Sequence, residues 1–156
     1  MDKNRLIILE SELADQIKVI DEVYEKIEKR RPSFKESEEG IESMAYQLHN
    51  LYGAYEELFE IVASYFENEL GGAKYHSDLL KRMNLVIKGV RPQLISDELY
   101  KLFDELRRFR HLFRHAYGME LNPEMVERIC DITDQIRKKF KQELSHFLKI
   151  LRERLK

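Results

Sequence analysis

The sequence predicts an all-α fold, an antiparallel helical bundle of about five helices. Three observations carry this. Apolar residues recur at intervals of three and four along most of the chain, the pattern of one buried helix face. Breakers are sparse, with three prolines and six glycines in 156 residues. No stretch alternates apolar and polar residues as a half-buried strand does. The length suits one domain, residues 1–156, able to bury a real core.

Leu6, Leu9, Leu13, Ile17, Ile20, Tyr24 and Ile27 define a first helix to about Arg30, broken by Arg31-Pro32-Ser33. Ile41, Met44, Leu48, Leu51, Tyr55, Leu58, Val62 and Phe66 define a second, ended by Gly71-Gly72. A short third runs through Leu79, Leu80, Met83, Val86 and Ile87 and stops near Gly89 and Pro92. Ser96 is placed to cap the fourth, with Asp97 and Glu98 on its N-terminal dipole. Its stripe is Leu99, Leu102, Phe103, Leu106, Phe109 and Phe113, and Gly118 stands where a C-terminal glycine belongs. Asn122-Pro123-Glu124 opens the fifth, whose stripe runs from Met125 through Ile129, Ile132, Ile136, Phe140, Leu144, Phe147 and Leu151 to Leu155.

Charge and composition exclude several classes. A formal net charge of −2 does not fit a protein coated in nucleic acid, so any such contact is confined to a patch. Cys130, the one cysteine, cannot form an internal disulfide and reads as a small core residue. Met1-Asp2-Lys3-Asn4-Arg5 leads into a helix without a secretory apolar region, and no apolar run is long enough for a bilayer. A soluble cytoplasmic protein with no membrane partner is expected. There is no Gly-x4-Gly-Lys phosphate loop, no His-Glu-x-x-His pair and no visible nucleophilic triad, so no cofactor and no metal is expected. The tyrosines and phenylalanines of the second helix are at core spacing. His49 reads as a structural histidine with a hydrogen-bond partner, and the basic tail Lys149, Arg152, Arg154 and Lys156 as a complement to the last helix's dipole.

The stretch RRFRHLFRH, residues 107–115, holds four arginines and two histidines in nine positions. Its bland reading is a solvated helix end, since cations are favourable there. Its sharper reading is a phosphate site. At about 100° per residue, Arg110 falls inside the apolar stripe between Phe103 and Phe113, with Tyr117 two turns on along the same line. His111 and His115 stack on the other side with Arg108, about 140° away for His115. An arginine in a core-facing stripe needs an anion: a carboxylate on another helix or a ligand phosphate. A straight helix does not aim Arg110 and His115 at one phosphate. Either the helix loosens before Gly118, or a second copy of the chain completes the site.

Arg110-x4-His115-x-Tyr117 resembles the signature of HEPN-domain toxins of the HepT-like branch. The segments LHNLYGAYEELFEIVA at 48–63, YHSDLLKRM at 75–83, RPQLIS at 91–96 and FRHLFRHAYGMELNPEMV at 109–126 look like successive blocks of that family, in order. The resemblance implies a helical-bundle homodimer acting on RNA as a metal-independent endoribonuclease. Arg110 and His115 would be the catalytic pair, facing their copies across a cleft. Tyr117 would be the position that a cognate nucleotidyltransferase antitoxin modifies with AMP. The position after the arginine is often Asn or another polar residue in the family, and here it is His111, which either shares the chemistry or positions RNA.

Elementary chemistry agrees with that assignment. RNA carries its own nucleophile, the 2′-hydroxyl, and histidine can act as base or acid at neutral pH. Arg110 offers a fork of donors to phosphate oxygens as charge builds. The expected products are a 2′,3′-cyclic phosphate and a 5′-hydroxyl. Arg107, Arg108 and Arg114 would hold flanking phosphates without base specificity. The alternative is a non-catalytic HEPN-like dimer that binds nucleotides or a partner.

Overall fold

The computed structural model describes residues 1–66, 75–115, 118 and 120–156, and their regular elements are helices. These are α1 (Lys3–Arg30), a 3₁₀ turn (Phe34–Glu36), α2 (Glu38–Phe66), α3 (Tyr75–Asn84), α4 (Asp97–His115) and α5 (Pro123–Glu153). The caps are those expected. Ser96 Oγ accepts from Leu99 N at 3.1 Å, and Asn122 Oδ1 accepts from Glu124 N and Met125 N. Gly118, three residues past the described end of α4, has φ +72°, in the left-handed region that favours glycine. The glycine pair at 71–72 lies outside the described residues.

Contacts near both ends of each helix pair set their directions. Arg5 near the start of α1 bonds Tyr65 O near the end of α2, while Arg30 reaches Ser43 Oγ near the start of α2. Arg31 pairs with Asp131 and Asp134 of α5 at one end of α1, and Arg152 with Glu10 at the other. Glu105 meets Arg128, and Glu98 meets Lys139, so α4 runs against α5. Tyr55 meets Phe103 and His49 meets Phe113, so α4 also runs against α2. The long helices therefore form an antiparallel four-helix square in the order α1, α2, α4, α5, and α3 packs on α2 and α4.

One aromatic cluster ties the square together. Tyr55, Phe103 and Phe140, from α2, α4 and α5, pack edge to face with centroids 4.8, 5.2 and 5.8 Å apart. The Tyr24 hydroxyl of α1 lies 2.9 Å from Thr133 O and 2.7 Å from the Tyr55 hydroxyl. A carbonyl only accepts, so the Tyr24 hydroxyl donates to Thr133 O and accepts a hydrogen bond from the Tyr55 hydroxyl. Cys130 is fully buried nearby on α5, and burial pushes its thiol up to about 12. It is the core residue expected.

The third helix is shorter than its apolar pattern predicts. It ends at Asn84, and Val86 is 66% exposed outside it. Residues 91–95 stop it by consuming its last carbonyls. Arg91, fully buried, donates from Nη2 to Arg82 O and from Nη1 to Leu85 O and Pro92 O. Leu94 N and Ile95 N both reach Met83 O, and Gln93 Nε2 reaches Asn84 O. Gly89, at φ +80°, turns the chain so that Ile87 and Arg91 bridge. The fifth helix stops at Glu153, leaving Leu155 beyond it.

Arg91→Ala is expected to lower stability by about 3 kcal/mol or more, because three backbone carbonyls lose a buried charged donor. Urea denaturation of the purified variant measures this, and a shift below about 1 kcal/mol would contradict the capping role.

Candidate functional site

The register of α4 is set by its first half. Leu99, Phe103, Leu106 and Phe109 are buried, and two turns beyond Phe103 the same line of the helix reaches Arg110. Its neighbours differ in kind. Asp104, 9% exposed, is held by Arg107 Nε at 3.1 Å and Nη2 at 2.8 Å, and by Arg108 Nη2 at 2.5 Å. Arg107 and Arg108 are thus locally compensated, although the Arg108 side chain is 71% exposed.

Arg110 is half-buried, with its Cζ 5.7 Å from the centre of the Tyr52 ring of α2. Its Nε is buried and lacks a hydrogen-bond partner, and among the described residues no carboxylate pairs with it. The Tyr52 hydroxyl is likewise buried without a partner, and burial pushes that phenol well above its ordinary value. Of the two anions that the sequence allowed for Arg110, the carboxylate on another helix is not found among the described residues. Aromatic contact stands in its place.

His111 and His115 lie on the solvent side, with ring centroids 4.5 Å apart. They share that side with Arg108 and the exposed Leu112. The backbone stays α-helical through His115, so Arg110 and His115 diverge as the periodicity requires. Arg114 is exposed, and among the described residues it makes no ion pair. Tyr117 lies outside the described residues.

Two residues of α2 that the sequence reads as structural form a parallel pair against Phe113 of α4. His49 of α2 has the partner expected, Asn50 Oδ1 at 3.3 Å, but it also packs on Phe113 with centroids 5.5 Å apart. Burial pushes its pKa below the ordinary value, Asn50 pulls it partly back, and Arg110 and Arg114 push it down again. Tyr46 is parallel to His49 within 8°, with centroids 6.3 Å apart, and is 53% exposed. The core reading of the second helix's aromatics therefore fails at Tyr46. The available signal was its place off the stripe of Met44, Leu48, Leu51 and Tyr55.

NMR titration is expected to find His49 below the usual histidine value of about 6.5, and Arg110→Ala is expected to raise it by removing a neighbouring cation. The sign for stability follows. The unfolded chain binds this proton more readily, so the contribution is present above about pH 6.5 and is lost as pH falls toward the lowered native value. An unshifted His49 would contradict its burial beside these cations.

Among the described residues no helix is long and apolar enough to cross a membrane. Neither a curated protein nor a solved structure matches the chain. A family model described as HepT-like protein matches residues 43–151. That span takes in His49, Tyr52, the whole of α4 with Arg110 and His115, and most of α5. By this match the chain belongs to the HepT-like family of the HEPN superfamily.

Proposed function

We propose that this chain is a toxin-type endoribonuclease that needs no metal, with Arg110 and His115 as its catalytic residues in a cleft between two copies. The observation that carries the reading is the state of Arg110. A half-buried guanidinium resting on Tyr52, with its Nε buried and no carboxylate paired with it among the described residues, is a cation held for an incoming anion. The family supports the same class, since HepT-like proteins are toxins of the ribonuclease type.

The second copy follows from helix geometry. Because α4 is regular through His115, one protomer turns its arginine and its histidine in different directions. A two-fold axis near these helix ends would bring the arginine of one copy opposite the histidine of the other. The exposed Leu112, among the polar residues of that side, suits such a contact.

In this site a histidine removes the proton from the 2′-hydroxyl, whose oxygen attacks the adjacent phosphorus. The bond from phosphorus to the 5′-oxygen breaks, and a second histidine protonates that oxygen. The products are a 2′,3′-cyclic phosphate and a 5′-hydroxyl. Arg110 donates to the phosphate oxygens as their charge rises. Arg114 and the exposed Arg108 hold flanking phosphates, Arg107 supports them through Asp104, and His111 steadies His115 or the RNA beside it. A cognate nucleotidyltransferase antitoxin would silence the enzyme by adding AMP to Tyr117, two residues past His115 in the sequence, the added negative charge and bulk opposing an incoming phosphate.

Purified protein in EDTA is expected to cut cellular RNA into fragments ending in cyclic phosphate. Arg110→Ala and His115→Ala are each expected to reduce cleavage about a hundredfold or more. Intact RNA from a folded, unmodified wild type would favour a nucleotide-binding or partner-binding dimer instead. Mass spectrometry after co-expression with a cognate nucleotidyltransferase is expected to find an added AMP on Tyr117, and an unmodified Tyr117 would remove the switch.

A further inference from the structure

The aromatic row beside Arg110 has no place in the chemistry above. It begins at Tyr46, passes to His49 and Phe113, and ends at Phe109, with successive centroids 6.3, 5.5 and 6.4 Å apart. Exposure falls along it, from 53% at Tyr46 through two half-buried rings to 3% at Phe109. The row thus has a wet end and an anchored end. Packing alone does not require the outer ring: Tyr46 lies off the core stripe, and the core closes without it.

We propose that Tyr46 and His49 form a stacking step for an unpaired nucleobase, seating single-stranded RNA beside the phosphate that Arg110 receives. The proposal rests on the ribonucleolytic reading of Arg110 and adds its substrate class. The fit is chemical. An exposed phenol ring set parallel to a neighbouring imidazole offers a flat face, and every base has a face to match it. His49 packs on Phe113, one turn from Arg110 and next to Arg114, and these two cations add to the burial that lowers its pKa, so the same corner of the surface attracts a phosphate backbone. The imidazole is kept neutral there, adding a stacking surface without a further positive charge. Alternation of flat rings with cations is what binds single strands without base-specific hydrogen bonds. A duplex keeps its bases stacked inside and cannot reach such a step, so cleavage is confined to loops and unpaired ends, with weak dependence on base identity.

The test uses the full-length protein and a 2′-O-methyl oligoribonucleotide carrying one 2-aminopurine, which binds but cannot be cut. Wild type is expected to bind it and to quench its fluorescence by stacking. Tyr46→Ala is expected to abolish quenching and to weaken binding about 5- to 100-fold, the range of one base stack. Tyr46→Phe is expected to retain both. Tyr46 is exposed, so the alanine variant keeps the core, which its thermal melt verifies. Undiminished quenching and affinity in Tyr46→Ala would overturn the proposal. So would equal affinity for the same strand annealed to its complement. Cleavage of unmodified RNA is scored separately with His115→Ala. Quenching without any cleavage leaves the stacking step standing and removes the ribonuclease; cleavage with no quenching does the reverse.

Discussion

The packing of Tyr24, Tyr55, Phe103 and Phe140 is the constraint on which the rest of this bundle depends. Each ring comes from a different long helix, and near-perpendicular contacts leave little freedom to slide one helix past another. The single hydrogen-bonded line from Tyr55 through Tyr24 to Thr133 adds direction to that contact. With Phe103 fixed between Tyr55 and Phe140, the height and rotation of α4 are fixed too. Two turns later the side chain on that line is an arginine, laid against Tyr52 of α2. The site is the continuation of the core toward the end of the bundle.

That continuation explains why a cation is tolerated there. The aromatic residues of α2 supply ring faces, which partly stabilise a guanidinium but do not satisfy all its donors. Asp104, the nearest buried carboxylate on α4, is already engaged by Arg107 and Arg108. The arrangement divides the arginines of one helix between two tasks. Those at 107 and 108 complete a local ion cluster, and the one at 110 is left with its Nε unpaired. Burial, reinforced by the positive potential of Arg110 and Arg114, lowers the pKa of His49, while the two histidines on the opposite side of the helix are exposed.

Four of the five helices are legible in the sequence because their apolar stripes are long and their caps are explicit, as at Ser96 and Asn122. The third is not, since its pattern continues through Val86 and Ile87 after the backbone has left the helix. What stops it is Arg91, whose side chain folds back over several residues to take carbonyls at Arg82 and Leu85. Periodicity carries no trace of such a bond. An arginine beside a proline reads as a polar loop residue, yet it is among the most buried side chains of the protein.

By itself the sequence determined the helical class, the face of α4 on which Arg110 lies, and its divergence from His115, because these follow from backbone periodicity within one element. It also determined the family, which the match over residues 43–151 bears out. The tertiary structure alone decided what stands opposite Arg110: a tyrosine face in place of a carboxylate, with Tyr46 and His49 brought to the same corner from sixty residues away. Such neighbours depend on how two helices pack across the bundle, and pairing between elements leaves no mark on the spacing within either.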